Sequence, residues 1–324
     1  MRKGQWLAAV GALLGCLMGA GFASGQEVLQ FFTAYGPWRG AVGAGLMLAV
    51  LYPVTAALLA PGAAWGPFWR KITPVVSFAV YAVMLAGAGA VAQQSFGCPA
   101  WVGSLVMAAL TLASCGGGLQ KLVSLLGWVG PVVAMAAVGI GLGALAAAPA
   151  GLTEAGQAAA SIPRAGRWWW LTALQYGGVN ALLLAPFATA LGQNLPDART
   201  GRRAAACGCG LFAVAVLAVH FGLSAHLAEV ATQQAPTAAL IALLWPGASW
   251  LAGPLLETGI YTTAVPLLYC AAGTPRRMVP LTLAGTLAAL LPFGRLVGML
   301  YPLLGWLGLV MGLSVFLRLG TGRG

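Results

Sequence analysis

Charge is what this 324-residue chain most lacks. Only 6% of it is Asp, Glu, Lys or Arg, and five side chains are acidic. A soluble domain carries about 25% charged residues, so this shortage, beside 60% hydrophobic residues, excludes a soluble fold and leaves an integral membrane protein. Short segments of alternating polarity are missing, which excludes a β-barrel in favour of helices. No Walker motif is present, which excludes nucleotide hydrolysis as a source of work. The net charge of +11 is scattered over short connections, and the absence of one basic patch excludes nucleic acid as a partner. The six cysteines form no disulfide framework. Cys207-Gly-Cys209 has no His or second Cys pair nearby, so the cysteines read as small packing residues.

What is present is a series of apolar segments. Ten spans are expected, at roughly 6–33, 40–60, 73–94, 100–115, 119–147, 168–191, 204–225, 249–271, 278–293 and 296–317. The opening Met1-Arg2-Lys3 and its apolar run are too long for a signal peptide and lack an Ala-x-Ala end, so they read as the first span. Residues 149–167 and 226–248 form polar connections, the latter partly helical and lying over one face. With the N-terminus in the cytoplasm, twelve Lys and Arg fall inside and only Arg39, Arg164, Arg167 and Arg295 fall outside, which puts both termini inside.

The first span is interrupted. Met18-Gly-Ala-Gly-Phe-Ala-Ser-Gly-Gln-Glu27 sets three glycines, a serine, a glutamine and a carboxylate in its middle. A straight helix from Trp6 to Phe32 would be roughly 40 Å long against a hydrocarbon core of about 30 Å, long enough for two half-helices with a break between them. Exposed backbone at a break survives only where it lines a protein-enclosed cavity, which makes residues 19–27 the first candidate site. The sixth span carries Gln175-Tyr-Gly-Gly-Val-Asn180, also in mid-membrane, and Gly21 and Gly177 are 156 residues apart, close to half the chain. Five spans plus five, each set opening on a Gly-broken helix, is the pattern of an inverted repeat. The expectation is a single transmembrane domain over 1–324, with repeat one at about 6–148 and repeat two at about 166–318.

The stretch Gly19-Ala-Gly-Phe-Ala-Ser-Gly-Gln-Glu27 followed by Val-Leu-Gln-Phe-Phe32 resembles the opening of the YkvI-like bacterial membrane proteins. That group is similar to the amino acid–polyamine–organocation superfamily. The resemblance implies an all-α integral membrane protein with ten transmembrane helices in a LeuT-like 5+5 inverted repeat, helices 1 and 6 broken, in the bacterial inner membrane. The superfamily's sodium transporters carry a hydroxyl pair in span eight facing carbonyls at the first break. Here Thr262 and Thr263 fit that position, with carbonyls of Ala20 and Ala23 completing an oxygen shell for Na+, Gly19 and Phe22 standing as alternatives. No other cofactor is expected.

Two carboxylates fall inside the membrane, Glu27 and Glu257, and a charge at a helix centre costs on the order of 2.5–3.5 kcal/mol on insertion scales. No Lys or Arg at mid-membrane pairs either one, which points to an external counter-ion: sodium, a proton or a substrate amine. Glu257 is placed with the coupling ion beside the threonines. The expected substrate-binding set is Gly21, Phe22, Ala23, Ser24, Gly25, Gln26, Glu27, Tyr81, Gln175, Tyr176, Gly177, Gly178 and Asn180. These features suggest a secondary active transporter for a small amino acid or amine, coupled to Na+ or H+ and working by alternating access. A membrane sensor keeping the fold without transport is the alternative. An intramembrane enzyme built on Ser24 with His220 or His226 lacks an oxyanion donor cluster and an orienting acid, so no enzyme is expected.

Overall fold

Long apolar runs satisfy their backbone groups in hydrocarbon by forming helices, and helices are what this chain forms. The structure, a computed structural model, describes residues 3–63, 66–148, 152, 162–233 and 235–320. Most of the expected 149–167 connection, with Glu154, lies outside the described residues. Among those described there are helices and turns but no strand.

In chain order the α-helices are α1 (Lys3–Leu17), α2 (Ala20–Ser24), α3 (Gln26–Phe31), α4 (Pro37–Leu46), α5 (Leu48–Leu58), α6 (Pro67–Phe96), α7 (Ala100–Cys115) and α8 (Gly118–Ala146). After the mid-chain connection come α9 (Trp169–Gly192), α10 (Ala198–Ala225), α11 (Leu227–Val230), α12 (Pro236–Leu244), α13 (Ala252–Ala272), α14 (Pro275–Ala288) and α15 (Phe293–Gly320). Their starts follow local chemistry. Pro stands at the first positions of α4, α6, α12 and α14, where its missing N–H costs nothing. Asp197 caps α10 by accepting from the Thr200 amide at 2.6 Å.

Six helices among the described residues are long and apolar enough to cross a membrane: Pro37–Leu58, Phe68–Phe96, Gly118–Ala146, Trp169–Gly192, Ala198–Ala225 and Pro246–Ala272. Trp6–Leu17 of α1, Ala100–Cys115 of α7 and Leu303–Leu317 of α15 are shorter apolar stretches among the described residues. Three of the remaining expected spans fall short for physical reasons, and the tenth lies within the 28-residue α15. The first is divided, α7 has 16 residues, and α14 has 14 and opens on Arg276 and Arg277. The 226–248 connection is partly helical, as expected, in α11 and α12.

α1 packs against α8 and α10, α6 against α7 and α13, and α9 against α5 and α15. α1 and α8 approach through Gly11, Gly15, Gly127 and Gly130, whose lack of side chains lets the two backbones touch.

The first span is broken as its composition predicts. α1 stops at Leu17, α2 runs for only five residues, and Gly25 turns the chain with φ +84° before α3 begins. That left-handed conformation is open to glycine and costly for other residues. The sixth span departs from expectation. α9 runs without interruption through Gln175-Tyr-Gly-Gly-Val-Asn180, so helix 6 is not broken. Its two glycines serve helix packing instead. A side chain at Gly177 would run into the Met47 carbonyl between α4 and α5, and one at Gly178 would meet the backbone of Gly308 and Leu309 in α15. The Asn180 amide donates to the Tyr176 carbonyl one turn back at 2.9 Å, so it adds to the helix rather than opening it.

Candidate functional site

Glu27 lies in the first turn of α3, immediately after the Gly25 turn, and is 8% exposed. A membrane carboxylate that deep needs hydrogen-bond donors. Two tyrosines supply them. The Tyr176 hydroxyl of α9 donates to Oε2 at 2.9 Å, and the Tyr301 hydroxyl of α15 donates to Oε1 at 2.6 Å. Each carboxylate oxygen thus has one donor, and of the roughly four lone-pair positions on the group about two remain open. Gly21 of α2 makes the arrangement sterically feasible, because a Cβ there would overlap the Glu27 carboxyl group.

The carboxylate sits in a cavity of about 790 Å³. Gly21, Gln26, Glu27, Gln30, Gln93 and Gln175 supply polar wall, with Phe31, Phe293 and Trp306 among the apolar lining. Arg164, Arg167 and Trp168, just before α9, also line it, with Leu290–Pro292 between α14 and α15. Arg164 is held in place: its Nε donates to the Ala34 carbonyl at 3.1 Å and its guanidinium lies 5.6 Å from the Tyr35 ring centroid. Tyr35 in turn donates to the Gly166 carbonyl at 2.6 Å, and the Ala165 amide donates to the Gln30 carbonyl at 3.2 Å. The segment 164–166 is therefore tied to the end of the first span. Behind the carboxylate, Tyr176 packs against Phe31 and Phe32, each 5.1 Å away centroid to centroid, and stacks on Phe212 at 6.3 Å. Phe212 continues to Phe22 at 5.4 Å. Phe22, Phe32, Tyr176 and Phe212 are fully buried and form a dry aromatic floor.

The expected substrate set divides. Gly21, Gln26, Glu27 and Gln175 line the cavity, and Tyr176 touches it through Glu27. Phe22 belongs to the floor. Ala23 packs against Gly259, and the Ser24 hydroxyl donates to the Gly21 carbonyl at 3.1 Å. Gly25 lies against Thr237 of α12. Tyr81 is buried elsewhere, its hydroxyl 2.9 Å from that of Thr111 and its ring against Gly285. Gly177, Gly178 and Asn180 belong to the packing of α9.

The expected ion set divides as well. The Thr262 hydroxyl donates to the Gly259 carbonyl of its own helix at 2.9 Å. Thr263 reaches across to the last turn of α1, 3.1 Å from the Cys16 carbonyl and 3.3 Å from that of Gly15. Its partners are therefore Gly15 and Cys16 rather than Ala20 and Ala23, and the Ala20 amide faces the Met84 sulfur at 3.5 Å. Glu257 is six residues from Thr263, about 240° around the helix, so it looks away from the threonine and lines a different cavity. Among the described residues no group of three or more His, Cys, Asp or Glu is placed to hold a metal ion. Ser24 has no histidine partner. His220 bridges Thr33 at 3.0 Å and the Pro37 carbonyl at 2.8 Å, and His226 bonds the Ala144 carbonyl at 3.0 Å.

Tyr301, Arg164, Gln30 and Gln93 are site residues that sequence reasoning did not select. Tyr301 alone carried a usable signal, since a tyrosine in mid-span needs a partner for its hydroxyl.

No family model matches the chain. The uncharacterized membrane protein YkvI of Bacillus subtilis (strain 168) is a homologue, 24% identical over 91% of both chains. Two solved structures share the fold. Mhp1, a nucleobase-cation-symport-1 family transporter, in a closed conformation with bromovinylhydantoin bound, gives a TM-score of 0.56 at 13% identity, covering 94% of this chain and 70% of its own. Its inward-facing conformation gives 0.55 at 13% identity, covering 93% and 72%. These likenesses identify the LeuT-like arrangement of helices.

Proposed function

We propose that this chain is a secondary active transporter of a small amine-bearing solute, with the amino acids as the leading class, working by alternating access around Glu27. The single observation that carries this reading is a buried carboxylate at the base of a cavity, held by two tyrosine hydroxyls yet with acceptor positions left open. An ammonium group fits those positions as donor and counter-charge. Arg164 and Arg167 stand in the same cavity and suit the carboxylate of an amino acid. The LeuT-like fold, shared with a transporter whose family name denotes cation symport, supports coupling to a cation.

The coupling ion in this reading is Na+ or H+. For sodium, the candidate ligands are the Thr263 hydroxyl with the Gly15 and Cys16 carbonyls it now faces. The ten-span, 5+5 architecture with both termini in the cytoplasm belongs to the same proposal. It places the mouth of the Glu27 cavity at the outer surface.

The test is counterflow in proteoliposomes, using a panel of amino acids, amines, nucleobases and hydantoins under imposed sodium or pH gradients. Exchange of an amine-bearing solute by the wild type, lost in Glu27→Gln with the variant still folded, supports the reading. Wild-type exchange by Glu27→Gln overturns it. One observation favours the receptor alternative: α9 lacks the second break that a symmetric rocking mechanism would use. A receptor would bind ligand in a thermal-shift assay and show no exchange.

A further inference from the structure

A second cavity, of about 410 Å³, lies apart from the first, between α6, α7 and α13. Most of its wall is apolar, from Ala92, Phe96, Val102, Val106, Met107 and Leu110. Phe96, Val106 and Leu110 are each more than half exposed, so the groove opens on the periphery of the helical bundle, where α7 meets hydrocarbon. Its polar groups come from one helix face: Glu257, Thr258 and Tyr261 of α13.

Two of these three are already partnered. The Thr258 hydroxyl donates to the Pro254 carbonyl at 2.7 Å, and the Tyr261 hydroxyl pairs with Ser114 at 2.6 Å. Glu257 is different. Its Oε1 is buried and has no hydrogen-bond partner among the described residues. Among the described residues no Lys, Arg or His lines the groove to balance the carboxyl group. Glu257 lies five residues into α13, about 7.5 Å along its axis, just past the exposed Trp250. With Trp101 at the start of α7, also exposed, Trp250 marks the interfacial end of this groove.

We propose that the groove is a lateral binding site for a bilayer lipid with a primary-amine headgroup, its ammonium on Glu257 and an acyl chain along α7. Three features select this occupant. A carboxylate without a protein partner calls for a cation. An orphaned acceptor calls for an N–H donor, which a primary ammonium has and a quaternary choline lacks. An apolar wall open to the bilayer calls for an alkyl chain, and the depth of Glu257 below the tryptophans is within reach of a headgroup.

The full-length protein is reconstituted in nanodiscs of phosphatidylethanolamine with phosphatidylglycerol, or of phosphatidylcholine with phosphatidylglycerol. Retained lipid is read by native mass spectrometry and the melting temperature is read in parallel. The wild type is expected to retain phosphatidylethanolamine selectively and to melt higher in its presence by mass action. Glu257→Gln should lose both effects. Val106→Trp, which fills the groove from an exposed position and keeps the carboxyl group, should lose them too and decides the matter if Glu257→Gln does not fold. Equal retention of the ethanolamine lipid by wild type and Val106→Trp, or equal retention of ethanolamine and choline lipids by the wild type, overturns the proposal. Glu27→Gln should keep the lipid preference, because that carboxylate belongs to the other cavity.

Discussion

Tyr301 donates its hydroxyl to Glu27 at 2.6 Å across 274 residues of chain. With Tyr176 on the other carboxyl oxygen, this contact joins the first, sixth and last long helical segments at one buried carboxyl group. The pair of tyrosines acts as a clamp whose removal leaves that carboxyl group short of donors.

Tyr301→Phe and Tyr176→Phe are therefore expected to lower stability by about 1–3 kcal/mol each, the range for leaving a buried acceptor unsatisfied. Either change should also weaken substrate binding. Adding Glu27→Gln to a tyrosine variant should cost less than the sum of the separate effects, because the three groups share one network. Thermal unfolding in detergent measures both quantities, and strict additivity would count against the clamp.

Gly21→Ala tests the steric side of the same site. The new Cβ would occupy the place of the Glu27 carboxyl group. Substrate affinity should fall sharply in Gly21→Ala and stay near wild type in Ser24→Ala, whose hydroxyl is turned to a backbone carbonyl. Ligand-induced thermal shifts distinguish the two variants.

Arg164→Gln separates the two ends of the solute. If Arg164 receives a carboxylate, this change should raise KM several-fold for an amino acid and leave KM for the corresponding decarboxylated amine nearly unchanged. Competition uptake with both compounds reads the difference. An equal loss for both would mean that Arg164 serves to hold Ala34 and Tyr35 in place.

The threonine pair makes a fourth test. Thr263 reaches the first span, whereas Thr262 bonds within its own helix. Thr263→Ala should reduce the sodium dependence of uptake, and Thr262→Ala should leave it intact. Uptake that does not respond to sodium in the wild type or in either variant, but follows a pH gradient, assigns the coupling to protons.

Gly178→Val addresses the helix that departs from expectation. Its side chain would press on the α15 backbone, where a Cβ already lies 2.9 Å from the Leu309 amide nitrogen. Overpacking of this kind costs about 1–3 kcal/mol. A neutral outcome in the melting temperature would mean that α9 does not pack there.

Legibility followed the scale of the signal. The helical segments could be read because apolar runs bounded by Arg, Pro and Gly are long-range compositional features. The first break could be read because Gly25 and its polar neighbours have no other reason to sit in hydrocarbon. The same logic misread Gly177 and Gly178, since glycine for bending and glycine for close packing look alike until a neighbour's backbone is seen. Arg164 was hidden for a related reason, and the need of the Tyr301 hydroxyl for a partner did not say which partner it meets. Which residues converge on Glu27 depends on how distant helices are rotated, and no local pattern records that. Glu257 was placed with Thr262 and Thr263 on nearness in sequence, but helical rotation sends them to opposite sides of α13.

The broken first span and the unbroken α9 differ in stiffness. Among the described residues the first span has a joint at Gly25, while α9 is an unbroken helix that carries Tyr176. Sliding or turning α9 would pull on Glu27 through the Tyr176 hydroxyl, so in the proposed function the hold on a solute and the position of that helix become one variable.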